Sequence, residues 1–185
     1  MTTDRDLDKL TLKELGQLFP IIIKEHSDRW SGLFRGEAKH ITDSFSQSEI
    51  VSIDHIGSTA IPGIKAKPTI DILLQITEQL AISKLKETFS SLGYLINHHP
   101  ENPAPHMTFV KGYTPQGFKG QAYHVHIRYP GDWPEIRFRD YLIQNSAVAK
   151  EYETLKLRLA EKYPNDREAY TASKTEWIEN INQLT

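Results

Sequence analysis

The chain has 185 residues, no cysteine, 22 basic and 24 acidic side chains, and a formal net charge of −2 at neutral pH. That length suits one domain with one core, and the missing cysteine excludes disulfides and cysteine-ligated metals. The charge balance excludes the global basic field of a general nucleic-acid binder, so any polyanion must find a local basic cluster.

The polar, acidic start "MTTDRDLDKL" lacks the apolar segment of a signal peptide, and no apolar run is long enough to span a bilayer. The expectation is a cytoplasmic protein with no membrane partner. Residues 1–10 read as a flexible tail. Residues 11–185 read as one domain, with a mixed core to about residue 133 and a helical part from about residue 134. Thr11 to Glu14 fits a capping box that starts a short helix. "PIIIKEH", Pro20 to His26, reads as a first strand. Trp30, Leu33, Phe34, Ala38 and Ile41 recur at helical spacing and predict a helix over about Asp28 to Asp43.

Ile50 to Ile56 reads as a strand, and Thr69 to Ile76 as another with Ile70, Ile72, Leu74 and Ile76 on one face. Ile82, Leu85, Phe89 and Leu92 mark a helix closed by Gly93. A strand is expected near Tyr94 to His98. Met107 to Tyr113 and Gln121 to Tyr129 then form a hairpin joined through "TPQGFKG". Three helices follow, and Pro164 separates the last two.

Four features can carry chemistry. Asp71 alternates away from the Ile and Leu face of its strand, near the strand's start; the plain alternative is a solvated strand-edge Asp. In "QAYHVHIRY", His124, His126 and Arg128 share one face. Two His at i and i+2 can bind one metal or contact one phosphate, and Arg128 adds a bidentate donor; the alternative is a solvated polar face. In the stretch from His55 to Asp71, Gly57, Ser58 and Thr59 offer a small-residue phosphate grip, with Lys65 and Lys67 nearby and His55 beside it. The spacing is not that of a P-loop. Lys174, with Lys156 similar, lies on an apolar helix stripe, where it either snorkels or reaches into a cleft.

"HIGSTAIPGIKAKPTIDILL", "YHVHIRYPGD", "FRDYLI" and "AKEYETLKLRLAEKYPNDREAYTASKTEWI" resemble the GrpB (UPF0157) family, bacterial proteins that also occur fused to dephospho-CoA kinase. The similarity covers most of the chain from about Thr11. A strand ending in Gly57-Ser58, a spacer, and a strand opening on Asp71 also resemble the nucleotidyltransferase superfamily, the DNA polymerase β-like fold. The resemblance implies an α/β (α+β) fold: a nucleotidyltransferase-like mixed sheet flanked by helices, with C-terminal helices closing one side of a cleft. Active members of that superfamily hold two Mg²⁺ ions on three carboxylates. This chain departs from the pattern, because Leu73 stands at the second carboxylate position and the His124 strand supplies no third acid.

Two functional readings follow. In the first, an enzyme acts on a nucleotide or another phosphorylated small molecule. Gly57, Ser58, Thr59, Lys67, Arg128 and Lys174 would bind phosphate. Asp71, His124 and His126 would be catalytic or hold one divalent ion, Mg²⁺, Mn²⁺ or Zn²⁺, with His55 as a further ligand. In the second, a degenerate relative binds or senses the same ligand without turnover. "HMTF" fits only half of the paired motif of 2H phosphoesterases, and there is no G-x-S-x-G elbow for a serine nucleophile.

Overall fold

The alternating run Thr69–Ile76 is the second strand of a five-stranded mixed sheet in the computed structural model, which describes residues 7–184. The elements in chain order are α1 (Leu12–Leu18), α2 (Arg29–Thr42), β1 (Ile50–Ile56), β2 (Thr69–Ile76), α3 (Ile82–Ser91), β3 (Leu95–His98), β4 (Met107–Thr114), β5 (Gly117–Arg128), α4 (Pro134–Gln144), α5 (Ser146–Lys162) and α6 (Arg167–Asn182). The sheet order is β1-β2-β5-β4-β3. Only β2 and β5 run parallel; the other neighbours are antiparallel.

One sheet face is the main core. Ile70, Ile72, Leu74 and Ile76 of β2 pack with Val125 and Ile127 of β5, Phe109 of β4, and Trp30, Ile41, Leu85 and Phe89 of α2 and α3. Burying large apolar side chains of this kind is worth roughly 1.5–3 kcal/mol each, which holds the register of the sheet. A second cluster joins Ile61 and Ile64 of the β1–β2 connection to Phe138, Leu142, Ala149, Tyr152 and Ile181 of the C-terminal helices. The same connection that carries Gly57 and Ser58 is thereby fastened to α4, α5 and α6.

The capping box at α1 forms as expected: the Glu14 amide donates to Thr11 Oγ1 at 3.3 Å and the Thr11 amide to Glu14 Oε2 at 2.9 Å. Gly93 sits just past α3 with φ of 80°, the left-handed turn expected there. Two expectations need correction. Pro20–His26 is not a strand; among the described residues its sheet-like pairing is one bridge, Lys24 to Ala66. Its apolar residues are used elsewhere, since Ile21 packs on Leu159 and Tyr170 and its amide donates to the Pro164 carbonyl. The hairpin turn is also shorter than expected. Thr114 Oγ1 donates to the Gly117 carbonyl at 2.8 Å and accepts from the Gln116 amide, so β5 already begins at Gly117. Residues 1–6 of the expected tail lie outside the described residues, and Leu7–Lys9 form a 3-10 turn. No helix among the described residues is long and apolar enough to cross a membrane.

α1 is pinned by a close approach. A Cβ at Gly16 would lie 1.8 Å from the carbonyl oxygen of Asn165, in the turn before α6. Gly16→Ala must displace one of the two, and the expected loss in urea unfolding is about 1–3 kcal/mol. Gly36→Ala, on α2 with nothing within 4 Å of the added carbon, is expected to be neutral or stabilising by up to ~1 kcal/mol.

Candidate functional site

The parallel register of β2 and β5 sets Asp71 beside His124 and Leu73 beside His126. Antiparallel pairing extends the row across the sheet. His124 faces Val110 and His126 faces Thr108 on β4; these in turn face Leu95 and Asn97 on β3. All lie on the face opposite the main core, because side chains alternate along each strand.

Asp71, His124 and His126 meet at one point. Asp71 Oδ1 is 3.2 Å from His124 Nδ1 and 3.8 Å from His126 Nε2. One ligand atom from each lies within 4.8 Å of the others. The remaining ring nitrogens face hydroxyls: His124 Nε2 is 2.7 Å from the Tyr113 hydroxyl, and His126 Nδ1 is 3.4 Å from Thr108 Oγ1. With His124 Nδ1–H donating to Asp71, Nε2 is left to accept from Tyr113, whose oxygen accepts from Arg167 at 3.3 Å. Burial alone would raise the Asp71 carboxyl, but the hydrogen bonds and charges of His124 and His126 outweigh it and hold the group well below the usual carboxylate range. Burial pushes His124 down, against the pull of Asp71.

One carboxylate oxygen and two imidazole nitrogens form a donor set suited to a single Zn²⁺, Mn²⁺ or similar ion with positions left open. It does not suit two Mg²⁺ ions, which need several oxygen ligands. Leu73, at the second carboxylate position, is fully buried between Asp54 and His126.

Around the triad is a cleft of about 320 Å³ whose cationic walls are Lys67, Lys156, Arg167 and Lys174. Among the described residues, no carboxylate lies within salt-bridge distance of any of these four. Burial, then the Arg167 charge, brings Lys67 down to about 7, with Asp71 opposing and Lys174 adding to the effect. Burial and the neighbouring Lys174 charge bring Lys156 down to about 7. Burial brings Lys174 down to about 8, with Asp71 opposing. Lys156 donates to the Lys65 carbonyl at 2.6 Å, and Lys174 stands 4.3 Å over the Tyr170 ring.

The small-residue loop divides in its roles. Gly57 adopts φ of 69°, and a Cβ there would stand 2.6 Å from Asp71 Oδ2, so glycine is needed for both conformation and space. Ser58 lines the cleft beside the Tyr152 hydroxyl. Thr59 is corrected: it is buried, donates to the Thr69 carbonyl at 3.0 Å and meets His55 Nε2 at 3.0 Å, which leaves its hydroxyl no room for a ligand. His55 lies on the other sheet face, stacked 4.8 Å from Phe34, so it is no ligand of the triad. Burial, with Asp71 opposing and Arg139 assisting, pushes it down to about 4.

Arg128 is likewise not brought to the cleft. It shares the face of His124 and His126, but α4 covers that end of the sheet. Arg128 is buried there, donating to Glu135 at 3.1 Å and to the Ile127 carbonyl, and lies 5.4 Å from the Trp133 ring. Arg167 was missed. As the first residue of α6 after an Asp166 cap, it reads in sequence as an ordinary exposed helix start. Tyr113 was missed too, although its alternation in β4 was visible.

Comparison with known proteins places these residues in a family. The family model described as "GrpB protein" matches residues 20–184. The chain is 37% identical over 168 residues to the glutamate-rich protein GrpB of Alkalihalophilus pseudofirmus, covering 87% of this chain and 93% of that one. It is 33% identical to the UPF0157 protein YqkA of Bacillus subtilis over 85% of this chain, and spans only 45% of that relative's length. The crystal structure of the conserved protein GrpB from Enterococcus faecalis superposes with a TM-score of 0.76 at 29% identity, covering 88% of this chain and 96% of that one.

The half-buried Lys67 and Lys174 have a measurable consequence. Their folded-state values lie below the ordinary value of 10.5, so between about pH 7 and about pH 10 the unfolded chain binds more protons than the folded one. Stability in urea is expected to rise with pH from about 7 to about 9.5. Lys67→Met and Lys174→Met should each flatten that rise and stabilise the protein near neutral pH.

Proposed function

We propose that this chain, which belongs to the GrpB family, binds a nucleotide or another phosphorylated small molecule in the cleft between its sheet and its C-terminal helices. One observation carries the reading: Lys67, Lys156, Lys174 and Arg167 face a single small cleft in which Asp71 is the one carboxylate among the described residues. Holding these cations together without carboxylate partners costs stability, and a multiply charged anion removes the cost. Phosphate groups meet the requirement, with Ser58 as a hydroxyl donor at the rim.

Asp71, His124 and His126 would hold one divalent ion beside these phosphates. When bound, such an ion supplies Lewis-acid polarisation of a phosphoryl oxygen. The chain's own residues do the rest. Tyr113 and Thr108 hold the two imidazoles by their outer nitrogens. The lysines, partly neutral before the ligand arrives, take up protons as the anion enters. Arg167, held by the Phe19 carbonyl and the Tyr113 hydroxyl, presents a fixed charge. A nucleotidyltransferase-type reaction belongs to this reading.

A second reading is favoured by one specific observation, the full burial of Leu73. With the second carboxylate position given to the core, the chain would bind or sense the phosphorylated ligand without turnover. Metal-dependent product formation from any nucleotide, abolished by Asp71→Asn, would remove that reading. Binding without product under every divalent ion would remove the enzyme.

Calorimetry with inorganic triphosphate near pH 8 should show net proton uptake, seen as a heat that changes with the buffer's ionisation enthalpy. Lys67→Met together with Lys174→Met should weaken binding by at least about tenfold, roughly 1.4 kcal/mol. Asp71→Asn should retain triphosphate binding and lose its dependence on added Mn²⁺ or Zn²⁺. No binding of triphosphate by the unaltered protein, with or without metal, would overturn the cleft reading.

A further inference from the structure

Beyond the cationic cleft, the two histidines of the triad also line a second space. A groove of about 530 Å³ runs between α1 and the β3–β4–β5 part of the sheet. His124, His126 and Arg167 line both the groove and the cleft, so the two spaces meet at these three side chains. Their chemistries differ sharply. The cleft is walled by lysines. The groove is walled by Leu12, Leu15, Phe19, Leu95 and Val110, with Asn97, Asn102 and Thr108 offering amides and a hydroxyl, and with Asp166 and Glu168 as its acidic side chains where α6 begins.

The register explains why the groove lies there. Val110 and Thr108 stand directly beside His124 and His126, and Leu95 and Asn97 stand one strand further out on the same face. The row therefore changes from ionisable to uncharged side chains as it leaves the triad, apolar beside His124 and polar beside His126. Nothing in the main core requires this, because these residues lie on the opposite face. α1 provides the facing wall, and the contact between Gly16 and Asn165 holds α1 beside the turn that leads into Arg167.

We propose that this groove is a second subsite, which takes the organic, ring-bearing part of the phosphorylated ligand. A nucleoside is the class that fits: an apolar ring between α1 and the sheet, its polar edge toward Asn97 and Asn102, and its phosphates in the lysine cleft. The inference rests on the phosphate reading of the cleft and adds the ligand's other half. Pockets of roughly 300–1,000 Å³ with mostly apolar walls and a few placed polar groups are ordinary dimensions for such ligands. It also locates His124, His126 and Arg167 at the junction between the phosphates and the organic part. Arg167 belongs to both subsites, and Tyr113, which bonds His124, forms a wall of the groove.

The test compares two probes on the intact chain by calorimetry: inorganic triphosphate, which has no organic part, and the four ribonucleoside 5′-triphosphates. At least one nucleotide should bind more tightly than inorganic triphosphate by about tenfold or more, a difference near 1.4 kcal/mol. Leu15→Trp and Leu95→Trp, which fill the groove from its two walls, should abolish that preference and leave triphosphate affinity unchanged. Urea unfolding of each variant confirms that it folds, and Leu95, nearly half exposed, tolerates the larger ring.

If triphosphate binds but no nucleotide is preferred, the groove is not a subsite, and the cleft reading stands. A preference that survives in both filled variants overturns the groove in the same way. If neither probe binds, the cleft reading fails and this inference fails with it.

Discussion

The parallel pairing of β2 with β5 is the constraint on which the rest of the site depends. It sets Asp71 level with His124 and brings His126 within reach of the same carboxylate. A slip of one residue would turn every side chain of one strand to the other face. The main core forbids that slip, because Ile70, Ile72, Leu74 and Ile76 would leave it together. Apolar packing on one face thus fixes polar geometry on the other, and the triad itself contributes little to holding the strands.

The second constraint is the cost of burying cations. Lys67 comes from the β1–β2 connection, Lys156 from α5, and Arg167 and Lys174 from α6. Each element is held by its own apolar contacts: Ile61 and Ile64 against Phe138 and Tyr152, Ile21 against Leu159 and Tyr170. The energy of those contacts keeps like charges close in a space that solvates them poorly. Such an arrangement is a stored electrostatic cost, and it favours any ligand that brings compensating negative charge.

The cleft face of the sheet is divided along its length. Near the start of β2 it is open, and Asp71 stands at the edge of the cleft. Further along, α4 crosses it: Arg139 lies 3.6 Å from Asp54, Gln75 accepts from the Gly131 amide at 2.9 Å, and Arg128 is sealed against Glu135 and Trp133. Leu73 sits on the covered side of that boundary. This explains together why Arg128 does not reach the cleft and why an apolar residue can stand two positions after Asp71 on the same strand face.

Much of the architecture was legible because it is written locally. The alternation of β2, the capping box at Thr11, the left-handed turn at Gly93 and the helical periods of the C-terminal part each rest on neighbours a few residues apart. The facing of Asp71, His124 and His126 away from the core was legible for the same reason. The misread segment, Pro20–His26, failed because three isoleucines look alike whether they pair in a sheet or pack against helices; its true partners, Leu159, Tyr170 and the Pro164 carbonyl, lie more than a hundred residues away. Thr59 and Arg128 were misplaced by the same rule, since their bonds to Thr69 and to Glu135 depend on how the connection and α4 settle on the sheet. The sequence by itself determined which side chains share a strand face and which helices are amphipathic, because side-chain periodicity follows from backbone geometry alone. Only the tertiary structure decided which of those faces is open. It brought Arg167 and three lysines to one cleft, buried Leu73 and sealed Arg128 against α4, because long-range apolar packing chooses which polar residues meet.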